Sequence, residues 1–114
     1  MIRIPNVSVL ITTTANIEGK RITQYLGIVT GEASAEVALL STATADKAAP
    51  GFADAYHQAI PNVRDNAIRG AIKGAEHVGA NAIIGTSVNY IIHGSGKGMV
   101  MVTVTGTAVV CEDA

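Results

Sequence analysis

The segment Gly98 to Cys111, GMVMVTVTGTAVVC, alternates residue by residue through most of its length. Val100, Val102 and Val104 fall on one side; Met101, Thr103 and Thr105 fall on the other. A period of two with one apolar side describes a strand with a buried face. The opposite side carries threonine and methionine rather than the lysine and glutamate of a solvated sheet. Such a chain must cover the valine side with a second layer and must also find a covering for the other side.

Composition narrows what that covering is. The 114 residues supply one core, so a single domain over 1–114 is expected. Hydrophobic residues make up 48% and aromatics only 4%, which leaves Ala, Val and Ile to build the core. Charged residues reach only 15%, below the usual quarter, too few to coat a monomer well. Copies of the same chain are the expected cover. A net charge of −1 provides no field for nucleic acid or an acidic membrane surface.

Apolar runs such as NAIIG are far too short to span a bilayer. The opening MIRIPNVSVLITTT is interrupted by Pro5, Asn6 and Ser8 and lacks the continuous apolar centre of a signal peptide. A single cysteine, Cys111, excludes an intrachain disulfide. A soluble cytoplasmic protein is expected.

Along the chain, the first strand is predicted at Val7 to Thr12 and a turn at NIEGK, signalled by Asn16 and Gly19. A second strand is predicted from Ile22 to Ala33, followed by a short helix at Ala35 to Leu40 and a loop at Asp46 to Gly51. From Phe52 to Val78 the period becomes helical: Tyr56, Ile60, Val63, Ala67, Ala71, Ala75 and Val78 form one stripe. Pro61 cannot donate an intrahelical bond, so the main helix is predicted to begin near Pro61 or Asn62. Gly79 should cap its end.

Strands at Ala82–His93 and Met99–Glu112 complete a β-β-α-β-β order, joined by GSGKG. That last hairpin can be registered. His93 should face Met99, Ile91 Met101, Asn89 Thr103 and Ser87 Thr105, while Ile92, Tyr90 and Val88 face Val100, Val102 and Val104. Both strands sort consistently under this register.

Three motifs carry a resemblance. YLGIVTGEA (Tyr25 to Ala33), VGANAIIG (Val78 to Gly85) and VTVTGTAV (Val102 to Val109) resemble the YbjQ family over about Thr12 to Val110. These are small bacterial proteins that carry the label "putative heavy-metal-binding". The resemblance implies a two-layer, dodecin-like α+β fold, with an antiparallel sheet and one main helix on one of its faces. It implies a closed homo-oligomeric ring, with a pentamer preferred, and no established reaction. Pro61, Gly70 and Gly74 depart from the charged, continuous helix of that family. A ring would give the uncharged second sheet face neighbours or a narrow interior to line. A plain solvated face is the alternative, though such strands ordinarily carry charge against unwanted pairing.

The residues that could bind a ligand follow from this reading. Arg64 lies within the helical apolar stripe, so its guanidinium must reach outward or meet an anion. Glu32 is its expected partner, as a structural ion pair or as part of a site for a small anionic ligand. With Tyr25 and the second-face residues Ser87, Asn89, Thr103 and Thr105, they make up the candidate set.

Metal and enzyme chemistry have thinner support. His57, His77, His93 and Cys111 include no i, i+4 pair and no CxxC, and His93 and Cys111 lie on the order of 30 to 40 Å apart along the hairpin. A metal could be shared only by symmetry-related copies. GSGKG lacks the full phosphate-loop spacing and leads into a strand, so it reads as a hairpin loop. No Ser-His-Asp spacing is apparent, and an enzyme is not expected. Gly70 and Gly74 weaken the helix by about 1 kcal/mol each against alanine, a cost that close approach of another backbone would offset. The expected function is a non-catalytic ligand-binding ring for storage, sensing or sequestration. A purely structural or protein-interaction ring is the alternative, and a symmetric heavy-metal site the third reading.

Overall fold

The structure is a computed structural model and describes residues 9–37, 45–93 and 98–114. Strand β1 is Leu10–Ile11, β2 is Lys20–Val37, helix α1 is Ala45–His77, β3 is Ala82–His93 and β4 is Gly98–Asp113. The four strands form one sheet in the order β1-β3-β4-β2. β4 is central and antiparallel to both β2 and β3, whereas β1 joins the edge of β3 in parallel. The sheet is therefore mixed, not wholly antiparallel as expected. Rather than pairing with each other, β1 and β2 lie at opposite edges of it.

The hairpin register is the one that alternation requires: His93 pairs with Met99, Ile91 with Met101, Asn89 with Thr103 and Ser87 with Thr105. GSGK, Gly94 to Lys97, lies outside the described residues, as does the Val7–Ser8 start proposed for the first strand. The valine side of β4 is the core. Val100, Val102 and Val104 are fully buried and pack with Val29, Val63, Ala67, Ile68, Ala71, Ile72 and Ala75.

The helix sits close because of glycine. A Cβ on Gly31 would lie 2.0 Å from the Ala67 carbonyl oxygen and 2.4 Å from the Ala71 amide nitrogen. Gly31 faces the helix since it pairs with buried Val104, and the alternation then sends Glu32 to the opposite face. Gly70 completes the contact: a Cβ there would meet Gly31 Cα at 3.4 Å. The small flank of the helix thus serves backbone-to-backbone packing.

The helix ends in a Schellman cap. The Gly79 amide donates to the Glu76 carbonyl, the Ala80 amide donates to that of Ala75, and Gly79 takes φ 85°. Its start lies far upstream of the expected one. The helix begins at Ala45 and runs through Pro61, replacing the loop expected at Asp46–Gly51. Pro61 is exposed, so its ring meets no sheet residue, and the anchored stripe after it offsets the lost hydrogen bond. The short helix expected at Ala35–Leu40 is also absent where it is described. Ala35, Glu36 and Val37 continue β2, held by pairing with Val100, Met99 and Gly98.

The second sheet face is covered at one end by the chain itself. Thr12 to Gly19 passes from the β1 edge to the β2 edge, and Ile17 is buried against Ala82, Ile84, Val109 and Cys111. Asn81 closes the end of the ladder: its side-chain amide donates to the Cys111 carbonyl at 2.8 Å and accepts from the Cys111 amide at 2.8 Å. The molecule is long, 58 × 23 × 21 Å, with a radius of gyration of 17.3 Å. A compact domain of this length has about 13 Å.

Replacing Gly31 with alanine should therefore destabilise the fold by about 3 kcal/mol or more, because backbone on both sides cannot yield. Gly70→Ala should stay within about 1 kcal/mol of wild type, since its contact is ordinary and alanine favours helix. Urea unfolding of the two variants reads this difference. Equal losses would mean that the helix can shift away from the sheet.

Candidate functional site

Beyond Ile17 the second face is open, and β4 runs down its middle. By register, three strands build its rows: Ser87, Thr105 and Thr30; then Asn89, Thr103 and Glu32; then Ile91, Met101 and Ser34. Adjacent strands lie about 4.8 Å apart, so each row of side chains spans roughly 10 Å. Ser87, Asn89, Thr30, Glu32 and Ser34 are exposed, while Met101, Thr103 and Thr105 are half-buried between them. Glu32 is the single charge in these three rows.

Five of the seven candidates therefore share one surface: Glu32, Ser87, Asn89, Thr103 and Thr105. Tyr25 stands toward the end of it, in the bulged stretch of β2 opposite Val109, and is 68% exposed. Thr30, Ser34 and Thr107 belong to the same face and were not singled out. Their placement depends on β2 pairing with β4, two segments too far apart in sequence for a hairpin rule to register. The one available signal was the TGEAS alternation within β2.

Arg64 does not join this surface. The expected ion pair with Glu32 is not formed, because Gly31 takes the helix-facing position and Glu32 points away across the sheet. The Arg64 side chain is 42% exposed, and its Nε lies 3.4 Å from Asp65 Oδ1.

Two cross-strand pairs, Lys20 with Asp113 at 2.7 Å and Arg21 with Glu112, tie the ends of β2 and β4. The Lys20 hydrogen bond and charge hold the Asp113 carboxyl below its ordinary range, and Asp113 in turn raises Lys20. The Asp113 contribution is present above its unfolded pKa and fades as pH falls through the lowered value. The Lys20 contribution is present below its unfolded pKa and fades as pH rises through the raised one. Asp113 is exposed and Lys20 partly so, and salt therefore screens the effect.

The donor set does not suit a metal within one chain. Among the described residues no three His, Cys, Asp or Glu side chains converge. Cys111 is buried under Ile17, and the side chains of His57 and His93 lie outside the described ones. Also among the described residues, no helix is long and apolar enough to cross a membrane.

These features define a class: a small two-layer α+β protein whose helix packs on one face of a mixed sheet and whose other face presents uncharged polar side chains. A solved structure shares that fold. It is a Pediococcus pentosaceus protein of unknown function of the DUF74 family, matching at TM-score 0.65 and 21% identity over 91% of this chain and 98% of its own.

The YbjQ family, described as "Putative heavy-metal-binding", matches residues 9–112, and the chain belongs to it. A UPF0145 protein of Acetivibrio thermocellus is 42% identical over 105 residues, covering 90% of this chain and 99% of its own. A UPF0145 protein of Listeria monocytogenes is 40% identical over 105 residues, covering 90% of this chain and 96% of its own.

Arg64→Met and Glu32→Gln should act independently in this architecture. A double-mutant cycle read by urea unfolding is expected to give a coupling below about 0.5 kcal/mol. A coupling above about 1 kcal/mol would place the two side chains in contact in solution.

Proposed function

We propose that this chain is a non-catalytic binding protein that acts as a closed homo-oligomer, pentamer preferred, and holds a small molecule or ion at its subunit contacts. The observation that carries this reading is the second sheet face. Its three open rows offer hydroxyls, an amide, a thioether and one carboxylate, and no lysine or arginine stands in them. Hydrogen-bonding groups of this kind, with Glu32 as the one charge, orient a ligand. Ser87, Asn89, Thr103, Thr105 and Glu32 are the binding groups of this reading, with Tyr25 at the rim. Arg64, half-exposed on the other layer, is the group that a small anionic ligand would engage.

The family description supports binding rather than turnover. A heavy-metal site would need copies of one donor brought together by symmetry, since the described residues of a single chain do not gather them. A purely structural ring is the competing reading, favoured by the length of the molecule, which a ring would shield without any ligand.

Native mass spectrometry of the protein from cells, run gently and then under denaturing conditions, separates these readings. A stoichiometric co-purified mass supports the binding ring, and a bare ring supports the structural one. Light scattering at micromolar concentration should give a multiple of the chain mass, and a stable monomer would overturn the oligomer. Thr105→Lys should shift the wild-type assembly toward monomer, because like charges would gather on one shared face.

A further inference from the structure

The helix and the sheet are out of alignment. α1 packs chiefly on β2, less on β4 and barely on β3, and its closest approach is to Gly31 of β2. β2 is an edge strand, so the helix covers β2 and β4 and, among the described residues, leaves the far part of β3 without a layer above it.

Among the described residues, the outer side of β3 is bare over the same stretch. β3 is paired on its outer side by the chain's own residues only as far as Thr86, whose amide donates to the Thr12 carbonyl. From Ser87 to His93 its outer backbone has no partner among the described residues. The helix-side residues Tyr90 and Ile92 are 46% and 54% exposed, and Ile91 on the second face is 45% exposed. The whole strand Ala82–His93 contains no Lys, Arg, Asp or Glu. An edge strand that carries no charge and exposes Tyr90 and Ile92 on its helix side lacks the features that keep an edge unpaired.

We infer that the free edge of β3, Ser87–His93, is the seat of a second copy of this chain. The second copy adds the outer edge of its own β2, the strand that its helix approaches most closely. The proposal rests on the oligomeric reading above and says which surfaces build the oligomer.

β2 and β3 both run antiparallel to β4, so a neighbour related by rotation about an axis along the strands places its β2 parallel to β3 with the same face toward the helices. Its α1 then covers Tyr90 and Ile92. The β2 edge is free of bulges from Ile28 onward, which leaves a flat run long enough for Ser87–His93. Pairing two β3 edges would bring together two strands without helices and leave both aromatic patches bare. Pairing two β2 edges would bring Glu32 and Glu36 toward their own copies. The β2-to-β3 contact is head-to-tail, which builds a ring where the rotation between subunits closes and an open filament where it does not. The chain exposes 6913 Å², about 1,000 Å² more than the roughly 5,900 Å² of a compact monomer of its mass. Each partner in a standard-sized stable interface contributes about 800 Å².

The test compares Tyr90→Lys/Ile92→Lys with Val78→Lys, a control at an equally exposed apolar position beyond the helix end. Light scattering with circular dichroism is expected to show a folded monomer for the double variant and the wild-type mass for the control. A double variant that keeps the wild-type mass overturns the β3 seat and leaves the oligomer standing. A monomeric wild type overturns both. If the double variant does not fold, amide exchange in the wild-type oligomer decides. Protection of Ser87–His93 by roughly 100-fold or more over a free edge is expected, and exchange at free-edge rates overturns the assignment.

Discussion

The rest of the architecture depends on the contact between Gly31 and the backbone of α1 at Ala67, Gly70 and Ala71. No side chain fits between the two layers at that point, so the helix lies directly against β2 there. That choice decides which valines of β4 are buried and which side chains of β2 turn to the other face. It also leaves β3 without a helix above it. Gly31, set against Ala67, Gly70 and Ala71 of α1, thus determines where the protein has open surface. At Gly31 no larger residue would allow the approach, whereas a Cβ at Gly70 would make an ordinary contact at 3.4 Å.

The second constraint is the crossing of Thr12–Gly19. By passing over one end of the second face, this segment lets β1 and β2 occupy opposite edges of one sheet. Ile17 supplies the anchor, burying Val109 and Cys111 on the side of β4 that elsewhere carries threonine. One strand therefore has a single alternation pattern but three environments: the helix-side core, the covered end under Ile17, and the open polar rows. The open polar rows are what remains of that face once the described chain has covered its end.

Arg64 illustrates how a helical wheel can mislead when the opposing layer is unknown. Its angular position lies within the stripe, yet a stripe narrowed by Gly70 and Ala71 docks so near β2 that residues one step to the side stay at the flank, in water. Glu32 could not be its partner once Gly31 was the residue facing the helix. Pro61 gives the parallel lesson for element boundaries: an exposed proline removes a bond but creates no clash, and the packed turns after it hold the helix direction.

By itself the sequence determined the hairpin of β3 and β4, its register, the valine core face, the Gly79 cap and the small flank of α1. Each of these depends on neighbours close in the chain or on the fixed periods of strand and helix. Tertiary structure alone decided that β1 runs parallel to β3, that β2 extends to Val37 against β4, and that α1 begins at Ala45. It alone gathered Glu32 with Ser87, Asn89, Thr103 and Thr105 while keeping Arg64 apart. These outcomes join segments tens of residues distant, where local pattern gives no register and the closest approach of two backbones selects the pairing.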